Sequence, residues 1–160
     1  VAGCGELADS FHRTRSSPDG KPIIGCMTNA LKDAGLHADR IDYINAHGTS
    51  TPENDKMEYL GMSTVFGERA KQIPVSSNKS MIGHTLSAAG AVEAIFSLLT
   101  LEHQRIPPTI NYDLPDPAIL LDVVPNKARD ARVTAAMSNS FGFGGQNVSV
   151  IVTREPLAVR

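Results

Sequence analysis

The chain has 160 residues, 41% of them hydrophobic, and a formal net charge of -2 with both signs spread along its length. That supports one domain with a real core and excludes a disordered chain, a basic stripe for nucleic acid and a polybasic membrane patch. No apolar run reaches the roughly 18 to 20 residues that span a bilayer, and the opening residues lack the charged and apolar blocks of a signal peptide. A cytoplasmic setting is expected, with neither nucleic acid nor membrane as partner.

Val1-Ala2-Gly3-Cys4-Gly5 has no start methionine and reads like the inside of a strand, as if the chain begins partway through a larger protein. Residues 5–20 are expected to form a surface loop, since the stretch from Asp9 to Gly20 is rich in Ser, Arg and Pro. Pro22 through Ala34 reads as an amphipathic helix, with Ile24, Met27, Ala30 and Leu31 at helical spacing and Gly35 as its stop. Ile41 to Ala46 reads as a buried strand. Thr51, followed by Pro52 and with Glu53 and Asp55 in the first turn, marks a helix start, and that helix should run to about Phe66.

Ile73 to Ser76 is short enough for a strand. A second long helix is expected from near Gly83, with Val92, Ile95, Phe96, Leu98 and Leu99 spread around most of its circumference, so burial on several sides follows. Four prolines between Pro107 and Pro117 break residues 104–130 into an extended loop. Arg132 to Asn139 and Gln146 to Thr153 then read as two strands around a Gly-Phe turn. Strands alternating with helices predict an α/β layered sandwich with a mixed sheet.

The chemistry concentrates in three small-residue segments. His47 lies in Asn45-Ala46-His47-Gly48-Thr49-Ser50-Thr51-Pro52, and Lys79 and His84 in Asn78-Lys79-Ser80-Met81-Ile82-Gly83-His84; both fall at strand-to-helix junctions. An isolated histidine at a strand end is more often structural than catalytic, but Thr49 is not needed to cap the helix that Thr51 already caps. The hydroxyls suit an amide-bearing ligand arm in a narrow tunnel. Lys79 reads equally well as a solvated loop residue or as a partner for Glu93, a carboxylate within the most apolar helix. Such a group needs a cation, a donor network or a proton, and for the cation Lys79 and a bound monovalent ion are both candidates.

His84 is expected in the first turn of the second long helix, where the macrodipole would keep its ring neutral and able to donate to an oxyanion. Asp55 and Glu58 share one helical face and read as surface charges from spacing alone. The third segment, Asn139-Ser140-Phe141-Gly142-Phe143-Gly144-Gly145, reads either as a hairpin with core aromatics or as a turn with backbone packed directly against it. Cys4 and Cys26 fall in a strand and a helix, neither in a nucleophile setting, and no Cys or His spacing suggests zinc or another metal site.

Through these three segments, Ala88-Ala89-Gly90-Ala91-Val92-Glu93 and Pro107-Pro108-Thr109-Ile110-Asn111, the chain resembles the C-terminal half of β-ketoacyl-acyl-carrier-protein synthases of the His-His elongation type. The resemblance covers nearly the whole chain. It implies a thiolase-like α/β fold that is incomplete without an N-terminal half, supplied by the same or a separate chain, and a homodimer of the complete enzyme. It also implies decarboxylative Claisen condensation of malonyl-acyl-carrier protein with an acyl thioester. His47, His84 and Lys79 would then be catalytic, with Glu93, Asp55 and Glu58 in the supporting network. Phe143 and Phe141 would form the gate and oxyanion site, and Thr49 and Thr51 would bind the pantetheine arm. The nucleophilic cysteine belongs to the absent half, so this chain alone should be inactive. No cofactor is required beyond the phosphopantetheine carried by the acyl carrier protein, although a structural monovalent cation near Glu93 is a further expectation. The alternatives are a noncatalytic acyl- or carrier-protein-binding partner that sets chain length, and the condensing domain of a polyketide synthase.

Overall fold

The computed structural model describes residues 1–155. In chain order the elements are β1 (Gly3–Ala8), α1 (Lys21–Ala34), β2 (Tyr43–Asn45), α2 (Pro52–Phe66), β3 (Pro74–Ser76), α3 (Lys79–Ile82), α4 (Ala89–His103), β4 (Arg105–Ile106), β5 (Asp122–Val123), β6 (Arg129–Asp130), β7 (Ala135–Phe141) and β8 (Gln146–Thr153). Six strands form one mixed sheet in the order β1-β8-β7-β2-β3-β5, and β4 pairs with β6 in a separate two-stranded ribbon.

The sheet carries helices on both faces, because successive side chains of a strand point to opposite sides. Ile44, Met137 and Ile151 pack with Ile23, Met27, Ala30 and Leu31 of α1 and Met57, Met62 and Phe66 of α2. Their neighbours Tyr43, Ala136 and Val152 face the other way and pack with Leu101 of α4. The expected layered α/β architecture is therefore present. Gly5 lets α1 approach β1 closely, since a Cβ there would lie 2.1 Å from the Cys26 carbonyl oxygen.

Local signals set the helix ends. Gly35, with φ 63°, closes α1, and its N–H donates to the Lys32 carbonyl at 3.1 Å. Thr51 caps α2, which ends at Phe66 as its pattern predicts. At the sheet's outer edge the Cys4 N–H donates to Asp33 Oδ2 at 2.9 Å, and Asn29 Nδ2 donates to the Glu6 carbonyl at 3.3 Å. Two α1 side chains thus occupy hydrogen-bonding positions that an edge strand ordinarily leaves open.

Four sequence expectations need correction. Gly5–Ala8, placed in the leading loop, are strand residues, because pairing with β8 continues to Ala8 opposite Gln146. Residues 104–130 contain three two-residue strands among the prolines, each satisfying backbone groups that an extended loop would leave open. The second long helix begins at Ala89 rather than near Gly83; α3 and a 3-10 turn at Leu86–Ala88 precede it. Nor is it buried on several sides: Ile95, Leu98 and Leu99 are 40 to 56% exposed, because only the side bearing Glu93, Ser97, Thr100 and Leu101 is buried.

Candidate active site

Three neighbouring parallel strands, β7, β2 and β3, deliver their carboxyl ends to one place, where open α/β sheets commonly hold their ligands. His47 lies two residues beyond β2, Lys79 three beyond β3, and Phe141 is the last residue of β7. The His47 ring sits 5.4 Å from that of His84 in an edge-to-face arrangement and 5.6 Å from that of Phe141. The two histidines and the aromatic separated by almost a hundred residues of chain thus form one cluster.

The backbone at His47 is held by Glu58. Its Oε1 accepts from the His47 N–H and its Oε2 from the Gly48 N–H, both at 2.9 Å, with Asn139 Nδ2 at 3.2 Å and Asn54 Nδ2 at 3.4 Å. Burial pushes the Glu58 pKa up, and the four donors pull it back. Every one of these partners is a donor, and a protonated acid would need an acceptor among them, so the carboxylate form fits the site. The reading of Glu58 as a surface charge is therefore wrong; it is 2% exposed, because α2 turns its inner face onto the β2 end. Asp55 stays half-buried and accepts from Asn54 Nδ2 at 3.0 Å.

Lys79 is buried and its Nζ is ion-paired with Glu93 Oε1, so of the two readings left open by the sequence the solvated one is excluded. Desolvating both charges costs several kcal/mol per ion, which close pairing offsets. Burial pushes the Glu93 pKa up, and Lys79 opposes the shift. Asn45 completes this floor: its Nδ2 donates to Asn78 Oδ1 at 2.6 Å and to the Glu93 carbonyl at 3.1 Å. The Asn45 Oδ1 and Glu93 Oε2 oxygens are buried without partners among the described residues.

The Lys79 charge reaches both rings. The His47 pKa is lowered to about 3, first by burial and then by Lys79 and His84, so its imidazole is neutral at physiological pH. His84 is lowered by desolvation and by Lys79. It does not lie in the first turn of α4, as the sequence suggested, but in the exposed link after α3, because Gly83 at φ 74° ends that short helix. Desolvation first and then the lysine, rather than a helix dipole, shift it toward the neutral form. The Leu86 N–H donates to His84 Nδ1 at 3.1 Å, which leaves the proton of the neutral ring on Nε2. Nδ1 of His47 is buried with no partner among the described residues.

Around the cluster, Thr49 Oγ1 and Thr51 Oγ1 are 2.9 Å apart, and Thr51 Oγ1 also accepts the Asn54 N–H as helix cap. Phe143 is not in the cluster; it is 82% exposed on the turn beyond Phe141. That turn is backed by the leading loop: the Asp9 N–H donates to the Gly145 carbonyl and the Gly144 N–H to the Arg13 carbonyl, both at 2.7 Å. Gly145, with φ 85°, has no room for a Cβ, which would sit 1.9 Å from the Asp9 carbonyl oxygen. Backbone packed against backbone explains Gly145, and a φ of 92° explains Gly144. Cys26 offers no nucleophile: burial pushes its thiol up to about 11.

Sequence reasoning missed Asn139, whose amide touches Glu58 and whose Oδ1 accepts from Ser149 at 2.8 Å, and Asp9, whose carboxylate accepts the Phe11 and Ser17 N–H groups. Polar residues inside otherwise apolar strands were the available signal for Asn139, since a buried amide needs partners.

The fold agrees with comparisons to known proteins. Residues 1–113 match the family Beta-ketoacyl synthase, C-terminal domain, and the chain belongs to that family. It is 47% identical over 154 residues to the 3-oxoacyl-[acyl-carrier-protein] synthase 2 of Coxiella burnetii, covering 96% of this chain and 37% of that protein. The chain therefore spans little more than a third of the length of that curated relative. Among solved structures, the ishigamide ketosynthase/chain length factor matches with a TM-score of 0.90 at 41% identity, over 96% of this chain and 37% of that one. A type II PKS acyl-carrier protein in complex with its ketosynthase bound to the hexaketide matches with a TM-score of 0.92 at 38% identity, over 96% and 38%. No helix among the described residues is long and apolar enough to cross a membrane.

Proposed function

We propose that this chain forms the C-terminal part of a 3-oxoacyl-[acyl-carrier-protein] synthase and supplies the half of its active site that generates the carbon nucleophile. The observation that carries this reading is the pair of imidazoles 5.4 Å apart, one lowered to a pKa of about 3 and both shifted toward neutrality, first by desolvation and then by the same buried lysine. Neutral rings can donate N–H to one developing oxyanion without an excess positive charge, and each preorganised donor contributes about 3 kcal/mol to lowering such a barrier.

In this mechanism a malonyl thioester enters with its carbonyl oxygen between His47 and His84. The bond to the carboxylate breaks, carbon dioxide leaves, and the electron pair passes into the enolate held by the two rings. The enolate carbon then attacks an acyl thioester on a cysteine from the N-terminal half, and the thiolate leaves as the new carbon–carbon bond forms. Lys79 adds to the desolvation that favours neutral rings, with Glu93 holding it; Glu58 fixes the His47–Gly48 backbone, and Asp55 orders Asn54 beside it. Thr49 and Thr51 bind amides of the phosphopantetheine arm. Phe143 gates the site and contributes its N–H to the oxyanion of the acyl thioester, while Phe141 lines the pocket.

The chain requires an N-terminal half for this chemistry, and the complete enzyme is proposed to be a cytoplasmic homodimer that takes its substrates from an acyl carrier protein. The orphaned oxygens Asn45 Oδ1 and Glu93 Oε2 fit a structural monovalent cation, since hard cations take oxygen donors. Those two residues would hold it, and its charge would stabilise the buried carboxylate side of the site.

The test uses the full-length synthase with His47→Ala and His84→Ala, each assayed for malonyl decarboxylation. Loss of decarboxylation in both supports the reading, and wild-type rates in both would exclude it. A chain-length partner without chemistry would have no use for both rings and their lysine.

A further inference from the structure

We infer that Ser149 and Asn139 form a positioning relay for His47, in which the serine hydroxyl fixes the direction of the asparagine amide and the amide holds the Glu58 carboxylate that grips the His47–Gly48 backbone. The inference rests on the condensing reading above and adds two residues that act on the imidazole through others.

The two residues are direct partners across the β7–β8 pairing. Met137 and Ile151, two residues away on the same face, are also partners and pack in the apolar layer with α1 and α2. The next row on that face is polar, and Asn139 and Ser149 are both 0% exposed. An amide and a hydroxyl so placed cost stability unless they are hydrogen-bonded. Ser149 Oγ lies 2.8 Å from Asn139 Oδ1, and Asn139 Nδ2 lies 3.2 Å from Glu58 Oε1.

The carboxylate dictates the direction of these bonds. Glu58 as an anion can only accept, so the asparagine turns its N–H toward it. Its Oδ1 then faces Ser149, and the hydroxyl proton goes to that oxygen rather than to Cys26 Sγ at 3.4 Å, because sulfur is the weaker acceptor. Cys26 itself donates to the Ile23 carbonyl at 3.1 Å. The Oε1 that takes the Asn139 bond also takes the His47 N–H, while Asn54 Nδ2 steadies the Oε2 that takes the Gly48 N–H. Without the serine hydroxyl the amide is free to reverse and set its oxygen against Oε1. The carboxylate then turns away, and the backbone that carries the imidazole loses its anchor.

The experiment uses the full-length synthase with Ser149→Ala, Ser149→Thr and Asn139→Asp, read by malonyl decarboxylation and by hydrogen exchange of the His47 and Gly48 amides. Ser149→Ala is expected to lower kcat about tenfold, as loss of one buried hydrogen bond implies, with KM little changed. Exchange should quicken at those two amides and not along β7 and β8. Ser149→Thr, which keeps the hydroxyl, should hold both readouts near wild type. Asn139→Asp keeps the shape but sets a second carboxyl beside Glu58 Oε1, and two such groups share one proton. Its activity should therefore fall with rising pH along a limb that wild type lacks. Among the other ionisable groups around the pair, His47 titrates at about 3 and Cys26 at about 11, and Asp55 is bonded to Asn54, so neither His47 nor Cys26 changes charge near neutral pH. Wild-type kcat and exchange in Ser149→Ala would overturn the inference, as would an Asn139→Asp profile parallel to wild type. Equal losses in Ser149→Ala and Ser149→Thr, or exchange quickened across the whole sheet, would also overturn it by making Ser149 a packing residue only. If wild type decarboxylates nothing, the condensing reading fails, while the exchange comparison still decides the relay.

Discussion

Glu58 stands eleven residues from His47 in the chain, yet its Oε1 accepts the His47 N–H at 2.9 Å while its other oxygen takes that of Gly48 at the same distance. A single buried carboxylate on α2 therefore fixes the backbone from which one imidazole projects. Glu58→Ala leaves two buried N–H groups without acceptors and is expected to lower stability by about 3 kcal/mol or more. Glu58→Gln places an amide among donors and should cost less in volume but still disturb His47. The measurements are chemical unfolding and decarboxylation rate; a Gln variant with wild-type rate would show that the His47 backbone needs no anion.

The charge state of His47 makes a pH prediction. Its folded pKa is about 3 against an ordinary value of 6.5, so between those limits the unfolded chain takes up a proton that the folded chain refuses. Stability contributed by keeping the ring neutral is therefore fully present above pH 6.5 and falls as the pH drops toward 3, by at most about 1.4 kcal/mol per pH unit. His47→Gln should remove this slope from a plot of unfolding free energy against pH. Activity should pass through pH 6.5 without an acid limb from His47, and a limb there that vanishes in His47→Gln would contradict the neutral-ring assignment.

Lys79→Met separates two roles of one side chain. It leaves Glu93 buried without its cation and is expected to destabilise by about 3 to 5 kcal/mol. It also removes the positive charge that lowers both histidines, so both should titrate at higher pH. Adding Glu93→Leu should recover much of the stability but not the histidine shift. Histidine titration by NMR alongside thermal unfolding checks this, and unchanged titration in Lys79→Met would remove the lysine from control of the rings.

Gly145→Ala tests the joint between the leading loop and the turn that carries Phe143. At φ 85° and 1.9 Å from the Asp9 carbonyl, a methyl group forces the two backbones apart. A stability loss of about 2 kcal/mol or more is expected, as for strain at a special backbone angle combined with a lost contact. Slower condensation with less change in decarboxylation would place the damage at the gate, and a fully native variant would show that the joint is loose.

Much of this was legible from residue chemistry. The Thr51-Pro52 start of α2, its end at Phe66 and the Gly35 stop of α1 depend on local backbone preferences, which sequence carries directly. That Glu93 needs a cation, a donor network or a proton followed from its apolar surroundings, and Lys79 supplies the cation. His84 was misplaced because Gly83, read as part of a helix start, instead ends α3; the link to α4 is set by tertiary packing. Glu58 shares its helix face with half-exposed Asp55, and only the position of β2 above α2 decides which of the two is buried. The apolar circumference of α4 signalled contact on several sides, but the described residues provide contact on one.

The two capped positions on β1 bear on how the molecule can grow. With the Cys4 N–H given to Asp33 and the Glu6 carbonyl occupied by Asn29, another strand annealing alongside would have to displace both α1 side chains. Lateral sheet extension is thereby discouraged on that border, while Ile95, Leu98 and Leu99 leave a greasy flank open on the opposite layer.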